Sequence, residues 1–180
     1  MATAFDFRYV ETIVAFLEMH QNPQTILPER AGVSFKLLPK PLGVEEYRKY
    51  YYAVGSAFQW LDRMVMPYNE LAEKINAREV FVYLMFVDDQ PAGFAEFLST
   101  PAFTEILYFG LFPAFVGKGW GSYFLHWCIA KAWSFGPQWI QLNTCQLDHP
   151  NALPVYRNAG FQEIRTIVEP RKILSSTNNQ

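Results

Sequence analysis

Three glycines at alternate positions, Gly117, Gly119 and Gly121, stand between an apolar run of strand character, Glu105 to Phe112, and a long segment that reads as helix to about Ser134. No other stretch constrains the fold as much. Glycines remove Cβ atoms where the backbone turns, so several N–H groups can approach an anion while the dipole of the following helix favours negative charge. Phosphate or pyrophosphate is the expected guest. Two familiar nucleotide loops are excluded by spacing. A Walker loop requires glycine at position 112 and serine or threonine at 119, where the chain has Phe112 and Gly119; a dinucleotide fingerprint requires a third glycine at 122, where it has Ser122.

Around this junction the chain alternates between strand and helix patterns. Residues 8–19 fit neither period cleanly and are read as a strand. Val33 to Leu38 alternates apolar and polar side chains and is stopped by Pro39 and Pro41. A helix is expected from about Val44 to Val54, a loop or short helix over Ser56 to Pro67, and a second helix over Asn69 to Asn76, with Asn69 as its cap. Val80 to Val87 and Ala92 to Leu98 flank the turn Asp88-Asp-Gln-Pro91 and should pair antiparallel. After the long helix come a strand, Trp139 to Cys145, a short helix from Pro150 to about Asn158 capped by Gly160, and a last strand, Phe161 to Val168. The order implies a mixed α/β sheet with helices on its faces. The polar tail from Ser175 to Gln180 is expected to be disordered.

With 180 residues and 51% hydrophobic content, the chain can fill one core. A net charge of −2 argues against a broad basic surface, so neither nucleic acid nor an anionic membrane is an expected partner. An anionic ligand must therefore be held locally. Cys128 and Cys145 form no disulfide framework and no metal spacing, and His20, His126 and His149 are scattered, so no metal site is expected. Reduced cysteines, no export-type leader and no apolar run of the roughly 20 residues that span a bilayer together point to the cytoplasm.

The glycine stretch resembles the coenzyme A loop of the GCN5-related N-acetyltransferase (GNAT) superfamily. Its pattern is Gln or Arg, two residues, Gly, one residue, then Gly or Ala; Gly119 and Gly121 match, and Val116 stands where Gln or Arg is usual. Downstream, Leu142 to Phe161 looks like the superfamily's block of a strand followed by a short helix that carries a Tyr and ends in Gly-Phe. Tyr156, Gly160 and Phe161 match, while His149 replaces a common Asn. The resemblance covers about residues 33–168. It leaves 1–32 as an N-terminal extension packed on the core, a source of interface for a possible homodimer, and 169–180 as a C-terminal tail.

The resemblance implies a mostly antiparallel central sheet with helices on both faces, splayed at the cofactor cleft, and acetyl-CoA as co-substrate. It places Phe109, Leu111 and Phe112 beside the thioester, and Val116, Gly117, Lys118, Gly119, Trp120, Gly121 and Ser122 around the diphosphate, with Lys118 as a point charge. His149 and Asn151 belong to the same cofactor side. Glu105, 14 residues before Gly119, has the offset of the catalytic glutamate in the histone-acetylating branch and is the first candidate for general base. Glu96 is the second, if it faces the cleft. Tyr156 is the expected general acid for the departing thiolate. Phe58, Trp60 and Tyr108 are candidates for the acceptor pocket, with Tyr50, Tyr51 and Tyr52 nearby, whereas His126 and Trp127 read as packing.

The implied reaction is transfer of an acetyl group to a primary amine of a small molecule or peptide, by direct attack in a ternary complex. The competing reading is a non-catalytic acyl-CoA-binding sensor or interaction module. The acceptor and the length of the acyl chain are open.

Overall fold

The computed structural model describes residues 6–24 and 26–175. Strand β1 (Phe7–Met19) opens the chain, followed by β2 (Val33–Leu37), helix α1 (Val44–Gly55), a 3-10 turn (Ser56–Phe58), and the short helices α2 (Asp62–Val65) and α3 (Tyr68–Asn76). Then come β3 (Val80–Val87), β4 (Gln90–Ser99), β5 (Phe103–Leu111), a 3-10 turn (Pro113–Phe115), α4 (Trp120–Ser134), β6 (Trp139–Cys145), α5 (Ala152–Asn158) and β7 (Gln162–Leu174). They build one seven-stranded sheet in the order β2-β3-β4-β5-β6-β1-β7. Every neighbouring pair is antiparallel except β5 and β6. The chain therefore has the mixed sheet that its alternating patterns imply, mostly antiparallel as the resemblance implies.

Alternation along the central strands divides the core in two. Tyr83, Met85, Ala95 and Phe97 face α4 and α5 together with Phe124, Leu125, Cys128 and Ile129, while Val80, Val82, Leu84 and Phe94 face α1 and α3 with Tyr47, Tyr51, Leu71 and Ile75. Successive strand residues point to opposite faces, so a strand covered on both sides must be apolar throughout. Trp127 stacks on Phe35 at 4.0 Å between centroids, a packing role.

Three boundaries differ from those read in the sequence. Residues 7–19 do not lie on the outside of the core: β1 is inserted between β6 and β7, with Val14 and Leu17 fully buried. The last strand does not stop at Val168 but follows β1 to Leu174, because its ladder partner continues to Phe7. Pro67, not Asn69, precedes α3. The tail read as disordered lies, beyond Ser175, outside the described residues.

Candidate active site

The cleft begins where the sheet parts. Parallel strands β5 and β6 pair only at Phe103, Thr104 and Glu105, opposite Trp139, Ile140 and Gln141, and then diverge. On the other side of β5 the register with β4 slips between Glu96 and Phe97, leaving Leu107 as an extra residue. A bulge of this kind bends its strand and increases its twist. Beyond it, the Phe112 amide donates to the Ala92 carbonyl at 2.9 Å. Backbone groups alternate in direction along a strand, so the amides of Phe109 and Leu111 point away from β4 into the gap. Phe112 itself stacks on Tyr50, so the residue expected beside the thioester is instead part of the packing under α1.

At the mouth of the gap lies the glycine loop. Gly117 and Gly119 both have φ of +77°, a left-handed conformation that a side chain resists. An added Cβ on either would meet nothing within 4 Å, so the loop faces open space. The Val116 amide is committed to the Pro113 carbonyl at 3.3 Å. Among the described residues the amides of Gly117, Lys118 and Gly119 have no such partner, and those of Trp120 and Gly121 open α4, where no intrahelical acceptor is available. This row of free donors at a helix start fits a diphosphate. Lys118 lies over the Phe115 ring, and Trp120 under Arg30 at 5.0 Å; neither lines the cleft, although both were expected at the cofactor.

The gap encloses a cavity of about 450 Å³, lined among others by Phe109, Leu111, Val116, Gly117, Gly121 and Ser122 on one side and by His149, Asn151 and Tyr156 on the other. Tyr156 is fixed by the end of its own helix. The Phe161 amide donates to the Tyr156 carbonyl and the Gly160 amide to that of Arg157, with Gly160 at φ +104°, which is the Schellman closure of α5. The Gly-Phe pair of the sequence thus sets the height of the tyrosine in the cleft. Its hydroxyl has no hydrogen-bond partner among the described residues, and burial, then Asp148 and Cys128, push its pKa upward. The group stays protonated and free to donate.

A second cavity, about 170 Å³, adjoins the first and shares Phe58, Trp60, Leu107, Tyr108, Asn143 and Asp148 with it. Its aromatic wall is tightly coupled. Trp60 tilts against Tyr51 and Tyr108, and Tyr51 meets Tyr108 edge-on at 4.9 Å. Tyr108 is pushed up to about 12, by burial first, with Arg63 pulling the other way. Of the aromatic cluster expected near the acceptor, Tyr51, Phe58, Trp60 and Tyr108 line the cavity; Tyr50 does not, and Tyr52 is exposed.

Asp148, which the sequence offers only as a neighbour of His149, occupies the junction of the two cavities. One carboxylate oxygen accepts from the Trp60 indole at 2.8 Å; the other accepts from the Thr144 hydroxyl at 2.8 Å and the Cys145 amide at 2.9 Å. Its signal in the sequence was an acidic side chain in the turn after β6, where it can bond back to a strand end. His149 accepts the Asn151 amide at 3.1 Å and meets Phe58 edge-on, so it shapes the entry to α5.

The two glutamates fare differently. Glu105 sits at the closed end of the split, accepting from Gln141 at 3.1 Å and Asn143 at 3.4 Å. It does not line the cavity; Asn143 stands between. Burial pushes its carboxyl up, against the hydrogen bonds from Gln141 and Asn143. Glu96 is fully buried under α1, with one oxygen on Arg63 at 2.8 Å and the other accepting from the Tyr47 hydroxyl. Burial raises its pKa more than Arg63 lowers it, while Arg63, for which burial opposes charge, is held charged by Glu96. With both oxygens engaged by Arg63 and Tyr47, and absent from the lining of either cavity, Glu96 forms a buried ion pair behind Tyr108.

The Acetyltransferase (GNAT) family pattern matches residues 42–161, more than half of the chain, and the chain belongs to that family. A comparison with curated protein sequences finds no match. Among solved structures, a conserved protein of Staphylococcus epidermidis is similar with a TM-score of 0.66 at 17% identity, over 93% of this chain and 64% of that one. A GCN5-related N-acetyltransferase from Sphaerobacter thermophilus is similar with a TM-score of 0.60 at 18% identity, over 94% and 54%. The chain thus spans less than two thirds of the length of either. A GNAT family acetyltransferase from Elizabethkingia anophelis, with acetyl-CoA bound, is similar with a TM-score of 0.57 at 14% identity, over 76% and 80%. These likenesses concern the fold. Among the described residues, no helix is long and apolar enough to cross a membrane, and no three His, Cys, Asp or Glu side chains come together as metal ligands.

Proposed function

We propose that this chain is an acetyl-CoA-dependent N-acetyltransferase that acts on a primary amine of a small molecule or peptide. The observation that carries the reading is the row of unpartnered amides from Gly117 to Gly121, continuous with a cleft that Tyr156 lines and toward which the Phe109 and Leu111 amides point. The coenzyme, when bound, supplies an acetyl thioester whose carbonyl an amine can attack and whose sulfur can leave.

Each of the chain's own groups has a part. The loop amides and the α4 dipole hold the diphosphate. The outward amides of β5 orient the acyl arm and stabilise the carbonyl oxygen as it gains charge. Asp148 receives the acceptor's ammonium where the two cavities meet, with the faces of Trp60 and Tyr108 around it. Glu105, its pKa raised behind Asn143, takes up the proton that the ammonium must lose, by way of solvent in the cleft. The freed nitrogen forms a bond to the acetyl carbon as the carbon–sulfur bond breaks, Tyr156 gives its proton to the sulfur, and the proton that the nitrogen sheds on becoming an amide returns to Tyr156 by way of solvent in the cleft.

The test is release of free thiol from acetyl-CoA by the purified chain with a panel of amines. Tyr156→Phe is expected to slow release by about 100-fold, within the range for a general acid, while acetyl-CoA binding measured by calorimetry changes less than about twofold. Binding without thiol release across the panel would favour the sensor reading, and no binding would contradict both.

A further inference from the structure

Phe58, Trp60, Leu107, Tyr108, Asn143 and Asp148 line both cavities. Among them Asn143 is the one that β6 supplies, just past Gln141, where the pairing with β5 ends. A chain of one-way hydrogen bonds along this face of β6 sets the direction of its amide. The Trp139 indole can only donate, and it meets Gln141 Oε1 at 3.0 Å, which turns the Gln141 amide nitrogen to Glu105 at 3.1 Å. An ionised carboxylate can only accept, so Asn143 presents Nδ2 to Glu105 at 3.4 Å and Oδ1 turns away from it. Oδ1 has no hydrogen-bond partner among the described residues, yet it is not sealed from solvent. It faces the cleft that its residue lines.

The main chain of Asn143 is equally free. The Gln146 amide donates to the Ile13 carbonyl at 3.2 Å, so by alternation Ala15 with Thr144 and Leu17 with Leu142 are the bonded pairs of the β1–β6 ladder. Phe16 and Asn143 are then a non-bonded pair, and the Asn143 N–H and C=O point to the β5 side, which β5 has already left. Cys145, of the same parity, has its amide taken by Asp148 rather than by β1. Two carbonyl oxygens of one residue, main-chain and side-chain, therefore border the junction of the cavities.

Resting on the acetyltransferase reading of the site, we infer that Asn143 is a further catalytic residue, which holds the attacking nitrogen and selects a primary amine. An ammonium drawn in by Asp148 carries three N–H groups. Once one proton has left by way of solvent to Glu105, the two remaining N–H groups donate to the Asn143 main-chain oxygen and to Oδ1. The lone pair left in the third direction is then aimed at the thioester carbonyl held along β5. A secondary amine has only one N–H at that stage and leaves one of the two acceptors unmatched.

Thiol release from acetyl-CoA with benzylamine and N-methylbenzylamine, and with the fastest amine of the panel and its N-methyl derivative, tests this. The wild-type chain is expected to favour the primary amine of each pair by at least about tenfold in kcat/KM, the order of one hydrogen bond to a charged group. Asn143→Leu and Asn143→Ala remove Oδ1 and leave the main-chain oxygen. Both are expected to lower kcat/KM for the primary amine by about tenfold or more and to bring the ratio within each pair close to one, while acetyl-CoA affinity by calorimetry changes less than about twofold. The ratio is independent of how much of a variant sample is folded. Variants that keep the wild-type preference, or a wild-type chain that has none, would overturn the inference and leave the acetyltransferase reading standing; no thiol release with any amine would overturn both.

Discussion

Glu96 and Glu105 carry the same side chain nine positions apart along neighbouring strands, yet the sheet gives them different surroundings. Glu96 lies in a run, Ala92 to Leu98, whose alternation cannot tell which layer of helices will cover it; only the arrival of Tyr47 from α1 and Arg63 from α2 seals it. Removing one member of a buried pair strands the other's charge, so Glu96→Gln is expected to cost about 3–5 kcal/mol in urea unfolding. Combining it with Arg63→Met should recover part of that loss, and a single-variant cost under about 1 kcal/mol would contradict the buried pair. Glu105 acts, if as proposed, in its deprotonated form. Its raised pKa then moves the acid limb of kcat/KM above the ordinary carboxylate range near 4, with activity falling as pH drops through the raised value. Glu105→Gln should lower the rate and remove that limb; a limb that survives the substitution would assign it to another group. The Gly160 cap was legible because a cap is a local rule, and Tyr156 came with the resemblance; the role of Asp148 was not legible, because its donors come from the end of β6 and from Trp60, 88 residues away in sequence.

At the scale of elements, the strands and helices followed from period and from their stop signals, and the boundaries moved by a few residues at most except in β7. What local pattern cannot convey is adjacency. The run 7–19 was readable as a strand, but nothing in it says that it lies between β6 and β7, since that depends on the ladder formed with residues far along the chain. The loop before α4 was the most legible piece because its glycines answer to a backbone need. Gly119→Val puts a β-branched side chain at φ +77°, costing on the order of 1–2 kcal/mol of stability and crowding the row of amides. Calorimetry should find acetyl-CoA binding weakened by at least about tenfold, and unchanged affinity would mean that the loop does not touch the coenzyme.

For the whole molecule, one construction serves both core and cleft. The sheet is closed by α1 and α3 on one face and by α4 and α5 on the other, and it opens only where β5 leaves β6 at Glu105 and Gln141. That split sets the Phe109 and Leu111 amides of β5, the free amides before α4 and Tyr156 around one cavity. Hydrogen exchange across residues 117–122, with and without acetyl-CoA, addresses this arrangement most directly. Marked protection of those amides, with little change along β2 at the far edge of the sheet, is the expected result; amides that exchange equally fast in saturating acetyl-CoA would contradict the assignment of the loop.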